Sequence, residues 1–129
     1  MELEPLRNPD ADRQEAMAMA QRLLGPRSDE HRDRWRHDLT RRATDVLTDG
    51  WWWYKHVWSS GEVVGVAVVL GDHAILAEVG ETLESAYCRW AFDLYGPAEG
   101  QQEAAAGCPR TKKWFDETAA LMANVARGQ

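Results

Sequence analysis

The residue types that could do acid–base chemistry are few and scattered along this chain. His56 and Glu78 are the one pair that the sequence places opposite each other, across the sheet predicted below. Such a pair could bind a small molecule or move a proton. A structural hydrogen bond explains the same arrangement, so we assign no catalytic residue.

Metal, cofactor and nucleophile patterns are also weak. Cys88 and Cys108 lie twenty residues apart, and His31 and His37 are six positions apart on a predicted helix, so they point to different sides. Zinc sites need closely spaced ligands, and phosphate-binding loops need a glycine-rich stretch before a helix. We therefore predict no metal and no cofactor. Cys88 is predicted to be an inert core thiol, and Cys108 a loop thiol without the basic neighbours that would lower its pKa.

Three consecutive segments carry the strand signals of the chain. Residues 51–58 are mostly aromatic, residues 63–70 are an unbroken apolar run, and residues 73–79 are a third apolar segment. Aromatic and β-branched residues favour strands, and a short apolar run suits a strand that is buried on both faces. With turns at Ser60-Gly61 and Gly71-Asp72, these segments predict a three-stranded antiparallel β-meander.

Alternation along these strands divides their side chains between two faces. One face carries the valines together with Trp51, Trp53 and Val57, and we predict that it packs against the main core. The other face carries an aromatic ridge beside small residues and is the candidate binding face. Its members are Trp52, Tyr54, His56, Trp58 and Glu78.

Two helices are predicted before the sheet. The first begins at Asn8-Pro9-Asp10 and ends at Leu24, because Asn is a good N-cap and Pro suits the first turn. Its methionine-rich apolar face is predicted to be ordinary core, with a plastic docking surface as the alternative. The second runs from a Ser28 cap to about Leu47. Its arginines are predicted to pair with acids on the same helix, as at Asp38 and Arg42.

Two helices are predicted after the sheet. One is capped by Thr82, ends at Tyr95-Gly96 and packs against the valine face. Residues 96–110 are predicted to be a loop that Gly and Pro bracket. The last helix is predicted to be capped by Thr111 and to end at Gly128. The fold class is therefore α+β in a single domain, 1–129, with residues 1–8 as a flexible arm.

The order of predicted elements over residues 30–95 resembles two groups of nucleic-acid readers. Three strands followed by a helix that opens at Glu84-Ser85-Ala86-Tyr87 resemble the DNA-binding domains of the AP2 and integrase arm-binding type. With the preceding helix, the order also resembles a double-stranded-RNA-binding domain. Those families use basic side chains on the strands or at the start of the last helix. Here the strands offer Lys55 alone and the helix start offers Glu81 and Glu84, so the likeness is one of architecture.

Composition narrows the function classes further. A net charge of −6 argues against a general nucleic-acid binder, and the acidic N-terminus predicts no secretion signal. We expect a small, soluble, cytoplasmic, non-enzymatic protein that binds a protein partner or forms a homodimer, without membrane association. Seven tryptophans fit an interface or a well-packed core. The alternatives are a nucleic-acid-associated regulator and a small-molecule-binding domain that uses the His56/Glu78 face.

Overall fold

Residues 8–127 are described by a computed structural model, and over that range the chain is helical, with no β-strand. The predicted α+β fold with an antiparallel meander is therefore wrong, and so is the likeness to strand-based nucleic-acid readers. The eight helices within this range are α1 (Pro9–Leu24), α2 (Asp29–Asp49), α3 (Tyr54–Val57), α4 (Ser60–Leu70), α5 (His73–Glu78), α6 (Leu83–Tyr95), α7 (Pro97–Ala105) and α8 (Pro109–Arg127).

The predicted central strand is helix α4, and its start is a capping box. The Ser59 hydroxyl accepts a hydrogen bond from the Glu62 backbone N–H, while the Glu62 carboxylate accepts one from the Ser59 N–H. This Ser-x-x-Glu pattern marks a helix start, so the hairpin turn predicted at Ser60-Gly61 is wrong. Gly71, predicted to sit in the second hairpin loop, is the left-handed cap that ends α4, with φ 67°.

The other two predicted strands are short helices. Residues 51–53 form a turn that leads into the single-turn helix α3, and α5 begins at an Asp72 cap whose carboxylate accepts from the Ile75 N–H. The strand propensity of aromatic and β-branched residues is a weak preference that tertiary packing overrides.

Helix α4 lies at the centre of the fold, packed against α2, α5, α6 and α8. Every residue from 63 to 69 is buried, so the helix has no polar side. At Gly65 the indole of Trp90 on α6 approaches the backbone so closely that a Cβ would lie 2.6 Å from its ring. Glycine is required there by this contact. Within residues 8–127, no helix has both the length and the apolar character needed to cross a membrane.

The predicted loop 96–110 is largely a helix. Gly96 turns the chain with φ 90°, and α7 then folds back along α6, where Gly100 meets the backbone of Phe92. The α7–α8 connection is closed by the buried carboxylate of Glu103, which accepts hydrogen bonds from the backbone N–H and the hydroxyl of Thr111, both at 2.9 Å. Helix α8 therefore begins at Pro109, two residues before the predicted Thr111 cap.

The predicted N-caps of three helices and one predicted ion pair are confirmed. Asn8, Ser28 and Thr82 cap α1, α2 and α6 through side-chain oxygens. Helix α6 was predicted to pack against the valine face of a sheet; it packs instead on helix α4, which carries the same valines. Asp38 and Arg42 form the predicted ion pair at 2.7 Å. Residues 1–7 of the predicted arm and the predicted end of the last helix at Gly128 lie outside the described residues.

Gly65→Ala should destabilise the protein by about 1–3 kcal/mol, because the new methyl group overlaps Trp90 and the core cannot give way freely. Gly61→Ala is the matched control on the same helix. There the nearest atom belongs to the flexible Arg89 side chain at 3.7 Å, so the helix-propensity gain of up to about 1 kcal/mol should dominate. Urea unfolding of both variants measures the difference. Equal effects at the two positions would contradict the close contact between α4 and α6.

Candidate interaction surface

Three exposed apolar side chains lie together between the end of α2 and the end of α3. Trp52, Trp53 and Val57 keep 74, 61 and 52% of their surface accessible, and we name them the tryptophan corner. Trp53 and Val57 were predicted to face the main core, which is wrong. In the helical geometry they are four residues apart and share one exposed face.

The corner stands on a packed aromatic base. Tyr54 and Trp58, predicted to belong to the binding face, are only partly exposed and stack on each other with ring centroids 4.6 Å apart. The Arg42 guanidinium covers the Trp58 ring at 4.9 Å. Trp51 meets Trp58 edge to face and donates its indole N–H to Asp72 at 2.9 Å. Aromatic and cation–π contacts of this kind hold the base against the core.

His56 and Glu78 do not face each other. The His56 Nδ1 lies 2.6 Å from the Trp52 carbonyl oxygen, and its ring lies 5.5 Å from the Trp52 ring. Glu78 accepts a hydrogen bond from the Lys55 ammonium at 3.0 Å. The predicted contact depended on a strand register that does not exist, and the two side chains hydrogen-bond to other residues instead.

Acidic side chains border the corner on the side of α2, while Lys55 in α3 is paired with Glu78. The Tyr54 hydroxyl donates to Asp49 at 2.6 Å. This hydrogen bond, followed by burial and by the negative charges of Asp49 and Asp45, raises the pKa of Tyr54 from 10.0 to about 12. Helix α2 carries no basic residue in its last turn, so the negative end of its dipole adds to the same potential.

Helix α1 carries a second exposed apolar surface. None of its residues is buried, so the prediction that its apolar face is core is wrong. We name as the α1 face its four large apolar side chains, each more than half exposed: Met17, Met19, Leu23 and Leu24. A single helix of this length is only marginally stable in water without packing.

The sequence contains a pattern that indicates a short helix at the tryptophan corner, and the strand prediction overlooked it. Trp53 and Val57 are spaced four apart, and Ser59 opens a capping box immediately afterwards. Together these features indicate a short helix that ends just before a longer one. No local pattern shows which aromatic rings of residues 51–58 point outward, because that depends on where α2 and α4 sit.

No grouping of three or more His, Cys, Asp or Glu side chains across the described part of the chain could hold a metal ion. Comparison with known protein families, with curated proteins and with solved structures finds no match to this chain. Function must therefore be argued from the two exposed surfaces and their chemistry.

Asp49→Asn should lower the pKa of Tyr54 toward 10, because the amide carries no charge to oppose phenolate formation. In the wild type the folded state holds this proton more tightly than the unfolded state. The stability from this interaction is thus fully present below pH 10 and is lost as the pH rises from 10 to about 12. Ultraviolet titration of phenolate absorbance measures the shift, and Tyr54→Phe assigns it. An unchanged titration in Asp49→Asn would contradict the hydrogen bond.

Proposed function

We propose that this protein is a non-enzymatic protein-binding module whose tryptophan corner inserts into an apolar pocket on a partner protein. The proposal rests on one observation: two consecutive indoles, Trp52 and Trp53, are mostly exposed on a firmly held turn. Tryptophan is the residue most enriched among side chains that dominate binding energy.

The area of the corner sets what such a contact can contribute. Covering the exposed parts of both indoles would remove roughly 250 Å² of apolar surface, or about 6 kcal/mol before association costs. Those costs are of similar size. A stable complex therefore needs further apolar contacts. Val57 and Leu47, the latter in the last turn of α2, are exposed and can supply them. The partner should present a pocket for the two rings and an apolar rim beyond it.

The turn beneath the rings lowers the entropic cost of binding. Gly50 donates its N–H to the Val46 carbonyl at 2.7 Å, and Lys55 donates to the Trp51 carbonyl at 3.0 Å, so both ends of the turn are bonded. The stacked base of Tyr54 and Trp58 supports it from below. A contact held in its bound geometry loses less freedom on association.

Charge selects the kind of partner. Asp49 and the uncompensated end of α2 border the corner with negative potential, so a pocket flanked by Lys and Arg complements it. A second copy would bring acid against acid at this surface. Anionic membranes would be repelled as well, although exposed tryptophan also suits a bilayer interface.

The arginines of α2 are poorly placed to bind nucleic acid, because three of them already hydrogen-bond within the protein. Arg32 donates to the Leu94 carbonyl at 3.0 Å, Arg36 to the Thr118 hydroxyl at 2.9 Å, and Arg42 to Glu62 at 2.9 Å. Phosphate binding would have to compete with these internal bonds.

The two free thiols fit a reducing compartment such as the cytoplasm.

A photo-crosslinking amino acid at position 52 tests the proposal, with Leu121 on α8 as a matched exposed control position. A protein captured at 52 and not at 121 is then purified and titrated against the wild type by calorimetry. Trp52→Ala/Trp53→Ala should raise Kd about 30-fold or more, because two dominant contacts are removed. Leu121→Ala should leave Kd within about twofold.

Salt and vesicles separate the alternatives. Affinity should fall as salt rises, since the proposed partner is basic around its pocket. Equal Kd values for the wild type and the double tryptophan variant would overturn the proposal. Flotation with phosphatidylcholine vesicles that is lost in the same variant would assign the corner to a membrane surface.

We also propose self-association through the α1 face, on the separate observation that α1 has no buried residue. Helical spacing places Glu15 and Arg22 along the same border of this face, seven residues apart. When two copies of α1 pack antiparallel, Glu15 of one faces Arg22 of the other, so charges and apolar residues match together. The occupant of this face is therefore a second copy of the chain.

Leu23→Glu should abolish the dimer in sedimentation equilibrium, because it puts a charge in the centre of the contact. Leu121→Glu is the control, the same change at an exposed leucine outside α1. Glu15→Arg and Arg22→Glu should each weaken the dimer roughly threefold to tenfold, while the double swap restores it. A wild-type chain that stays monomeric at high concentration would sink this idea.

A further inference from the structure

The two cysteines of the chain meet in the fold. Cys88 lies on α6 and Cys108 precedes α8, yet their Sγ atoms are 3.7 Å apart. The exposure predicted from the sequence is reversed: Cys108 is buried with 2% of its surface accessible, and Cys88 is partly exposed. The tight α6–α7 hairpin brings them together, since α7 returns the chain to the level of α6.

We propose that Cys88 and Cys108 form a site of reversible oxidative modification, at which a peroxide or a small disulfide converts the two thiols into a disulfide bond. Both cysteines are free thiols in the structure. A bond of about 2.05 Å requires the sulfur atoms to close by about 1.7 Å, which is within reach of side-chain rotation and small backbone shifts.

The two thiols have different roles because their surroundings differ. Cys88 is reachable from solvent and is the group that meets the oxidant. Burial, then the hydrogen bond to Cys88, and then the charges of Cys88 and Glu103 raise the pKa of Cys108 to about 11. Cys108 thus stays protonated until Cys88 has reacted, which is the behaviour of a resolving thiol.

The chemistry balances with hydrogen peroxide as the oxidant. The Cys88 thiolate attacks one peroxide oxygen, the O–O bond breaks, and the released hydroxide takes a proton and leaves as water. Cys88 is now a sulfenic acid. The Cys108 sulfur attacks the Cys88 sulfur, the S–O bond breaks, and the hydroxyl leaves with the Cys108 proton as a second water. One peroxide is reduced and two thiols are oxidised.

The local backbone is suited to such a closure. Cys108 has φ 61°, in the left-handed region, and the preceding Gly107 has φ 87°. The Cys108 N–H donates to the Glu103 carbonyl at 2.8 Å, so its position is held by α7. The new bond would tie α6 directly to the start of α8. Nineteen residues lie between the two cysteines, so the cross-link should raise the melting temperature by roughly 5–10 °C.

Oxidation of the purified, reduced full chain with hydrogen peroxide or glutathione disulfide tests the proposal. The expected product is a chain that has lost two hydrogen masses and has no covalent link to a second copy, with a Cys88–Cys108 linked peptide after digestion, and dithiothreitol should restore the thiols. Its melting temperature should exceed that of the reduced chain by the shift given above.

Single variants separate the roles. Cys108→Ser, with Cys108→Ala as a second variant in case serine is poorly tolerated in the core, should accumulate a sulfenic acid that dimedone traps. Cys88→Ser should react with peroxide much more slowly than Cys108→Ser does, and it should trap much less dimedone. A disulfide between two chains as the main product would overturn the proposal, and so would equal reactivity of the two single variants. Neither outcome depends on the tryptophan corner or on α1.

Discussion

The structure depends on an apolar helix that has no side able to face water. Helix α4 buries every residue from 63 to 69, so neighbours must cover it all round. Gly65 lets Trp90 lie against the helix backbone, and the Trp90 indole N–H donates to the Gly61 carbonyl at 3.1 Å. The same indole packs edge to face on Trp35 of α2 and Phe115 of α8. One side chain thus connects four helices.

The exposed corner is a consequence of this frame. Arg42 on α2 pairs with Glu62, the capping residue of α4, and its guanidinium also covers Trp58 at 4.9 Å. One side chain therefore joins the second half of α2, the start of α4 and the aromatic base. Tyr54 and Trp58 are held against the core. Trp52 and Trp53, in the turn before α3, therefore lie at the surface and are not part of the core.

Helix α1 and the cysteine pair relate to the core in opposite ways. Helix α1 adds no buried residue and is joined to the domain at residues 25–27, where the Arg27 N–H donates to the Tyr95 carbonyl at 3.4 Å. Its apolar face is not buried against the rest of the described chain. The cysteine pair lies at the edge of the core, where the α6–α7 hairpin and the buried Glu103 place the start of α8. We propose association for the first feature and reversible oxidation for the second.

The sequence by itself determined the helix ends wherever side-chain chemistry is local. Asn8, Ser28 and Thr82 cap their helices as predicted, because a cap needs only a polar oxygen within three residues of a free N–H. It did not determine the middle of the chain. An apolar run of eight residues suits a buried strand and a buried helix equally well, and strand propensity favoured the wrong one. The capping box at Ser59 was the local clue.

The candidate site shows the same division. That residues 51–58 form an aromatic segment is visible in the sequence, and Trp52, which was placed on the candidate binding face, is exposed. The tertiary structure decided which other rings are exposed. Trp53 was predicted to face the core and is exposed, while Tyr54 and Trp58 are partly buried, because the segment has helical spacing and not the alternation of a strand. The meeting of Cys88 and Cys108 likewise exists only after α7 folds back on α6. Contacts between residues distant in sequence depend on how helices pack, and local patterns carry no record of that packing.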